Sequence, residues 1–464
     1  MDETILATWA EALVAYHARF ARFFRRAEVR ERSQRYLHGL LAPVERKNGW
    51  QLAEAVGEDD PQGIQRLLFE AVWDADAVGD EYQCFVVEQF GDPEAVLVLD
   101  ETGFVKKGTK SVGVQRQYSG TAGKVENCQV GVFLAYVTRH GHVLLDRRLY
   151  LPEVWATDPV RRAEAKVPET VTFQTVPELG QAMLEQAWAQ EVPHAWVTAD
   201  ERYGAVPSFL AALEERGTPY VIAVPATTRV WPAATKVVDG PGRLRILKAA
   251  TAEPVPVAEV VARWEADAWQ RLAVGAGAKG PRVYDWAAVR VVASRQGWPG
   301  PHLWLLVRRS LDPTPEYAYY LAQAPADTPL LTLAQVAASR WPVEQCFEEA
   351  KGEAGLDQYE VRSWPSWHRH ITLAMLAHGF LAWQRREAGE KAARSGGAGH
   401  GEQAGAAECA GDPPVAGAHL AAATPDGRPR PALVALATPA SGAGAPVALS
   451  PPTDDSRSCA HVRL

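Results

Sequence analysis

The chain has 464 residues, of which 47% are hydrophobic, so it is long enough to bury a substantial core in roughly two to four structural units. Its formal net charge of -8 argues against a surface coated in positive charge, although local patches steer nucleic-acid binding more than the total does. The five cysteines form no Cys-x-x-Cys pair, no signal-peptide pattern opens the chain, and no apolar run is long enough for a membrane span. These features predict a reduced, cytoplasmic protein without a zinc site, a disulfide framework or a membrane contact.

Residues 1–90 are predicted to form a mostly helical DNA-binding region. Between residues 16 and 47 cationic side chains outnumber acidic ones, among them Arg22, Arg25 and Arg26, and aromatic residues are interleaved with them. One helix face could then pack while another meets phosphate. The alternative is an ordinary solvated helix with a charged face.

A possible helix-turn-helix lies in the second half of this region. A short helical run ends at Gly57, and Pro61 is well placed to open a second helix over residues 62–73. Gln65 and Arg66 would then lie on the groove-reading helix. Any helical hairpin has a similar pattern, so this alternative stays open.

Residues 91–224 alternate between strands and helices, as in the first part of a mixed α/β core. Near-continuous apolar runs at 95–99 and 195–199 predict strands buried on both faces. The remaining predicted elements are strands at 130–137, 142–151 and 220–224 and helices at 177–190 and 207–216.

The second half of the chain divides into three parts. Residues 225–330 are β-rich and irregular, which predicts an insertion, and residues 331–387 are predicted to complete the core with helices at 333–339, 342–353 and 370–386. Residues 388–464 are dominated by Ala, Gly and Pro, a composition that cannot bury enough apolar surface to fold and predicts a disordered tail.

Asp100 and Asp200 each follow one of the two buried strands. Catalytic groups collect at strand ends in α/β sheets, because the core holds the backbone while the side chain reaches a cleft. Two converging carboxylates repel each other unless a cation neutralises them, and Mg²⁺ prefers such oxygen ligands. The alternative is that each aspartate only caps its strand and begins a turn.

Glu344 and Lys351 are seven residues apart on a predicted helix, so their side chains lie within roughly 20° of each other around its axis. A carboxylate and an ammonium on one edge suit a metal ligand beside a phosphate anchor. Arg340 precedes Pro342 and is therefore predicted at the helix entrance. The alternative is a surface helix that carries incidental charges.

These residues resemble the DDE transposases of bacterial insertion sequences, in the branch with a β-strand insertion before the catalytic glutamate. The branch signature is Tyr, two residues, Arg, three residues, Glu, six residues, Lys; Arg340, Glu344 and Lys351 match it, whereas Ala337 stands at the tyrosine position. The resemblance covers about residues 40–385 and includes the strings at 100–108, 111–120, 126–130, 149–152, 355–362 and 369–373.

The resemblance implies a ribonuclease H-like core that cuts DNA at transposon ends and joins the freed 3′-hydroxyl to target DNA. It implies that Asp100, Asp200 and Glu344 bind two Mg²⁺ ions, for which Mn²⁺ can substitute, and that Arg340 and Lys351 contact DNA phosphate. The implied partners are double-stranded DNA, as terminal inverted repeats and as target, and a second copy of the chain in a synaptic complex. The implied place of action is the bacterial cytoplasm, at the nucleoid.

Two further features bear on DNA. Lys106, Lys107 and Lys110 lie in a glycine- and lysine-rich stretch that is predicted to follow the DNA backbone, with a solvated loop as the alternative. Trp231 in the insertion could stack on a flipped base, but a tryptophan of the core is the favoured interpretation.

Two rival functions remain open. One is a transposase-derived protein that binds DNA without cutting it, and the other is a related ribonuclease H-like endonuclease without strand transfer. The intact acidic triad favours an enzyme over the first. The cation-rich N-terminal region and the insertion favour transposition over the second, because end recognition needs a dedicated module.

Overall fold

The computed structural model describes residues 3–120, 122–233, 237–239, 248–250, 252–277 and 280–396. Residues 3–90 are mostly helical, as predicted. Two of the helices begin at side-chain caps: Asn48 Oδ1 accepts hydrogen bonds from Trp50 N and Gln51 N, and Asp74 Oδ1 from Asp76 N and Ala77 N. The five helices are α1 (Glu3–Phe20), α2 (Ala27–Leu41), α3 (Gly49–Ala55), α4 (Gln62–Phe69) and α5 (Ala75–Phe90).

Helix α4 is shorter than the predicted 62–73. The Leu67 carbonyl accepts the Trp73 indole N–H at 2.9 Å, while Ala71 N donates to the Arg66 carbonyl. This pattern breaks the regular i to i−4 ladder, so the helix ends at Phe69.

The centre of the fold is a mixed twelve-stranded sheet in the order β10-β7-β12-β13-β14-β6-β5-β1-β3-β2, with β11 beside β12 and β4 beside β3. Strands β1, β5 and β6 are parallel to one another, β3 runs antiparallel beside β1, and β4 runs antiparallel beside β3, which is the predicted ribonuclease H-like arrangement. Its strands in the first half of the chain are β1 (Val96–Val105), β2 (Gln115–Ser119), β3 (Lys124–Thr138), β4 (Gly141–Leu149), β5 (Trp196–Ala199) and β6 (Tyr220–Val224).

The insertion is β-rich, as predicted, but it continues the central sheet. Strand β14 pairs with β6 along Tyr319↔Val224 to Gln323↔Tyr220, and the outer strands follow from it. Pairing extends the sheet because β6 would otherwise leave its backbone groups unpaired at an edge. The strands are β7 (Arg229–Pro232), β8 (Val237–Asp239), β9 (Lys248–Ala250), β10 (Val255–Pro256), β11 (Gln270–Gly277), β12 (Gly280–Arg295), β13 (Trp298–Arg309) and β14 (Tyr317–Gln323), of which β8 and β9 form a separate pair.

Helices cover the sheet, and the longest of them joins it to the N-terminal region. Tyr16 donates to the Leu376 carbonyl at 3.0 Å, and the Tyr36 hydroxyl lies 2.8 Å from His370 Nδ1. The helices are α6 (Glu153–Ala156), α7 (Pro159–Glu164), α8 (Val176–Ala189), α9 (Glu201–Gly204), α10 (Pro207–Arg216), α11 (Val257–Val261), α12 (Leu330–Ala338), α13 (Trp341–Gly352) and α14 (Trp364–Gly396).

Helix α14 is longer than the predicted 370–386. It begins six residues earlier, at Trp364, where the Ser363 hydroxyl accepts from Ser366 N. It ends at Gly396, beyond residue 388, where the tail was predicted to start, and residues 397–464 lie outside the described residues. Among the described helices, none is both long and apolar enough to cross a lipid bilayer.

Candidate active site

Asp100 and Asp200 lie side by side on neighbouring parallel strands. The register pairs Leu99 with Ala199, and each aspartate is the next residue along its strand. Asp200 follows the end of β5, as predicted, but Asp100 lies inside β1, which continues to Val105 through its pairing with β3. The prediction that Asp100 closes its strand is therefore wrong. The strand continues because β3 still pairs with it where β5 has ended.

Asp200 is also the N-cap of α9. Its Oδ1 accepts the Arg202 backbone N–H at 3.0 Å, which fixes the carboxylate at the start of the helix. The short helix lies close to β6, since a Cβ built on Gly204 would meet the Ala223 carbonyl oxygen at 1.9 Å. Asp200 thus begins a turn, and this is compatible with a role in the site.

A compact group of three carboxylates forms at this edge. Oxygen atoms of Asp100, Glu101 and Asp200 all lie within 4.8 Å of one another. Glu101 was not among the predicted site residues, because successive side chains of a strand point to opposite faces. Its side chain turns towards Arg202, whose Nη1 lies 2.5 Å from Glu101 Oε1. Its position directly after Asp100 was the signal that could have found it.

Glu344 lies outside that group and is linked to it by Arg340. One guanidinium nitrogen of Arg340 lies 3.1 Å from Asp100 Oδ2, and the other lies 3.6 Å from Glu344 Oε1. Arg340 is the N-cap of α13, at the predicted helix entrance, and the Glu344 side chain is 61% exposed. The third carboxylate of the predicted triad therefore faces the other two across an arginine.

Burial changes the pKa of two of the carboxyl groups. It raises the pKa of Asp100 from 3.8 to about 7, helped by Glu101 and Asp200 and opposed by Arg340. Burial also raises the pKa of Glu101, against the pull of Arg202. A divalent cation would relieve this repulsion, and carboxylate oxygens are the donors that Mg²⁺ prefers. The convergence of buried oxygens thus fits a hard divalent cation.

Lys351, in the last turn of α13, reaches the same strand. Its Nζ donates to Thr102 Oγ1 at 2.7 Å and lies 5.9 Å from the Phe104 ring centroid. Burial lowers its pKa. Both ends of α13 therefore contact β1, Arg340 at Asp100 and Lys351 at Thr102.

Comparison with known families agrees with this geometry. A family profile described as "DDE superfamily endonuclease" matches residues 19–281, which is more than half of the chain. The chain belongs to the DDE superfamily of endonucleases. The matched range contains Asp100, Glu101 and Asp200 and ends before Glu344. The resemblance inferred from the sequence is therefore confirmed at the level of the family.

A curated relative of this DDE-superfamily member has a more specific description. The chain is 29% identical over 192 residues to a "Probable transposase for insertion sequence element IS701" from Microchaete diplosiphon. The match covers 41% of this chain and 48% of the relative, so the chain spans about half the length of the relative it matches.

In this DDE-superfamily member, α13 is fixed by a charged cluster on its far side. Arg385 Nη1 lies 3.1 and 3.2 Å from the two Glu349 oxygens, His378 Nε2 lies at 3.5 Å and His142 Nε2 at 3.9 Å. Burial works against ionisation of Glu349, but its contacts with these three side chains hold its pKa well below the usual range. The cluster joins α13 to α14 and β4, and nothing in the sequence pattern singled it out.

The end of α13 next to Arg340 contacts the insertion. Trp341 stacks on Tyr284 with ring centroids 5.6 Å apart, and the guanidinium groups of Arg282 and Arg308 lie 4.5 and 5.5 Å from its ring. Cation–π contacts of this kind stabilise packing. The insertion thereby helps to place the helix that carries Glu344.

The predicted lysines of the 106–110 stretch line a cleft of about 770 Å³, together with Arg46 and Arg362. Lys106 donates to the Tyr359 carbonyl at 2.9 Å and lies over the ring of that tyrosine, and burial lowers its pKa to about 8. Lys107 is exposed, and Lys110 pairs with Glu164 at 2.8 Å.

The predicted N-terminal arginines lie elsewhere on the surface. Arg22 pairs with Glu81, Arg26 lies 3.9 Å from Glu28, and Arg25 is exposed. Trp231 is 2% exposed, and its indole donates to the Ala252 carbonyl at 2.6 Å. The core interpretation of Trp231 is confirmed, and it offers no surface to a base.

Proposed function

We propose that this protein is the transposase of a bacterial insertion sequence, which cleaves DNA at the element ends and transfers the strands into target DNA. The observation that carries the proposal is the adjacency of Asp100 and Asp200, with Glu344 linked to Asp100 through Arg340. Membership of the DDE superfamily and the description of the IS701 relative support it.

Asp100, Asp200 and Glu344 are proposed to hold the divalent cations, two Mg²⁺ ions for which Mn²⁺ can substitute. When bound, the cations activate the attacking oxygen and stabilise the leaving oxygen of a phosphoryl displacement. The protein's part is to hold the carboxylates on rigid elements. The β1–β5 register does this for both aspartates, and α13 does it for Glu344.

Arg340 and Lys351 are proposed to contact the phosphate next to the cut bond. Arg340 is 29% exposed beside two carboxylates, and its planar guanidinium can exchange a carboxylate for a phosphate with the same two-pronged geometry. Lys351 follows along β1 and adds a point charge at Thr102. The positively charged side chains of Arg340 and Lys351 thus both contact β1 next to the acidic group.

Further DNA contacts are proposed at the lysine-lined cleft and at the N-terminal region. Lys106, Lys107 and Lys110 follow β1 directly and would neutralise phosphates without reading sequence. The N-terminal contacts are proposed for Arg22, Arg25 and Arg26. The proposed partners are double-stranded terminal inverted repeats and target DNA, with self-association in the synaptic complex, at the nucleoid in the cytoplasm.

The test uses the full chain with DNA fragments that carry the two ends of the insertion element in which its gene lies. We expect Mg²⁺-dependent cleavage and joined products, and we expect Asp100→Asn, Asp200→Asn and Glu344→Gln each to reduce cleavage by at least about 100-fold. Glu201→Gln and Glu348→Gln, exposed neighbours of Asp200 and Glu344, are the matched controls. Circular dichroism checks folding.

The other outcomes would change the site assignment or favour one of the two rival functions. Wild-type activity in any of the three variants would remove that residue from the site. Cleavage without joined products would favour the endonuclease without strand transfer. End binding by the wild-type protein without any cleavage would favour the inactive DNA-binding derivative.

A further inference from the structure

Glu101 is the acidic side chain of the site that the predicted triad does not use. Its carboxylate lies within 4.8 Å of oxygens of both Asp100 and Asp200. Glu344 does not belong to this group of three. Oxygen ligands on opposite sides of one Mg²⁺ ion are about 4 Å apart. Small side-chain movements would therefore let all three residues share one cation.

The two oxygens of Glu101 have different surroundings. Oε1 pairs with Arg202, whereas Oε2 is fully buried and accepts a hydrogen bond from no described residue. A buried carboxylate oxygen without a donor is unfavourable. A cation in contact with Oε2 would remove that penalty, so this observation itself points to a ligand.

Arg202 positions two of the three carboxylates. Its backbone N–H binds Asp200 Oδ1, and its guanidinium binds Glu101 Oε1. Both contacts use one oxygen of each carboxylate. The α9 turn thus fixes Glu101 and Asp200 relative to each other in the protein without DNA.

Glu344 is in a different position with respect to Asp100. Arg340 lies between them, bound to Asp100 Oδ2 and close to Glu344 Oε1. A guanidinium in this place keeps the two carboxylates from sharing a cation. A DNA phosphate is a competing acceptor for it, because arginine binds phosphates and carboxylates with the same donors.

The charges of the site agree with one cation in the free protein. Four carboxylates (Asp100, Glu101, Asp200 and Glu344) face two guanidinium groups (Arg202 and Arg340), so the ionised group carries two excess negative charges. One divalent cation neutralises them.

We propose that Glu101 completes a cation site with Asp100 and Asp200 in the DNA-free protein, and that Glu344 joins the metal site only when a DNA phosphate draws Arg340 away from Asp100. This rests on the proposed function, since it assigns the order in which the same site is filled. Glu101 is a metal ligand in this scheme, and Arg202 is a positioning residue.

The experiment measures Mn²⁺ binding to the full chain without DNA, from the loss of the free Mn²⁺ signal in electron paramagnetic resonance. We expect the wild-type chain to bind a single Mn²⁺, and Glu101→Gln and Asp200→Asn to weaken binding by about ten-fold or more. Glu344→Gln removes a nearby charge but no ligand and should weaken it much less than Glu101→Gln, and the control Glu201→Gln should leave it unchanged. Glutamine preserves the size of Glu101 and can still accept from Arg202, and thermal unfolding checks each variant.

A second background tests the role of Arg340. In Arg340→Gln protein the barrier between Asp100 and Glu344 is absent, so adding Glu344→Gln should now weaken Mn²⁺ binding. Unchanged binding in Glu101→Gln, or an equal loss in Glu101→Gln and Glu344→Gln of the otherwise wild-type chain, would overturn the assignment. So would a DNA-free wild-type chain that binds no Mn²⁺.

Cleavage of the element ends in Mg²⁺ is measured on the same preparations. Normal cleavage with the wrong Mn²⁺ pattern overturns the Glu101 assignment and leaves the proposed function standing. The expected Mn²⁺ pattern with no cleavage by the wild-type chain overturns the proposed function and leaves the cation site.

Discussion

Burial of Asp100 next to other carboxylates perturbs its ionisation, and this should be visible in the stability of the protein. Its pKa rises from 3.8 to about 7 on folding. The folded state therefore keeps a proton that the unfolded state releases, so in EDTA the free energy of unfolding should fall as the pH rises from about 4 to about 7.

Asp100→Asn should remove this part of the pH dependence. Above pH 7 in EDTA the variant should be more stable than the wild type by at least about 1 kcal/mol, measured by urea unfolding. Mg²⁺ should then stabilise the wild type and leave the variant unaffected. Parallel pH profiles for the two proteins would show that the carboxyl is not perturbed, and Glu201→Gln is the control.

Gly204 is a second residue whose environment gives a sharp expectation. A methyl group there would lie 1.9 Å from the Ala223 carbonyl oxygen, so α9 must move away from β6. Gly204→Ala should cost about 1–3 kcal/mol of unfolding free energy and lower cleavage by displacing Asp200. Gly389→Ala, in a helix with nothing within 4 Å of the added atom, should not destabilise. Equal stability of both variants would contradict the close packing of α9.

At the scale of the elements, α13 carries the proposed site residues Glu344 and Lys351 and is held by Glu349 on its far side. Glu349→Gln leaves Arg385 and two histidines without the charge that they face, and should cost about 1–3 kcal/mol at pH 7. Because the pKa of Glu349 is held below its ordinary 4.5, the wild-type advantage is present above that pH and lost as the pH falls below it.

Cleavage should fall with stability in Glu349→Gln, because the same helix positions Glu344 and Lys351. Glu348→Gln changes an exposed neighbour on the same helix and should alter neither property. If Glu349→Gln unfolds at the same urea concentration as the wild type at pH 7, the cluster does not anchor the helix.

The elements also show how far sequence reasoning reaches. Apolar runs located β1, β5 and β6, and the positions of Asp200 and Arg340 followed from local patterns. Pairing partners are set by tertiary contacts, so the continuation of β1 past Asp100 and the joining of β14 to β6 could not be predicted. Glu101 was missed although it directly follows Asp100, since the turn of its side chain towards the site depends on where the neighbouring strand ends.

At the scale of the whole molecule, the negative net charge and the proposed DNA partner have to be reconciled. The -8 total is long-range and screened by salt, whereas phosphate contacts act locally through released counterions. Lys107 is one of the exposed cations of the cleft that follows β1. It should therefore contribute one phosphate contact to DNA binding, although the protein as a whole is acidic.

Lys107→Gln should weaken binding to all DNA sequences alike and should reduce the slope of log affinity against log salt by about 0.9. The matched control is Arg139→Gln. Arg139 follows Thr138, the last residue of β3. The cleft lies near the other end of that strand, because Val105, which lines the cleft, pairs with Cys128. The measurement is fluorescence anisotropy with an end fragment and an unrelated duplex at several salt concentrations. An unchanged slope in Lys107→Gln would place the DNA away from this cleft, and an equal reduction in Arg139→Gln would mean that the slope reports overall charge and not a contact.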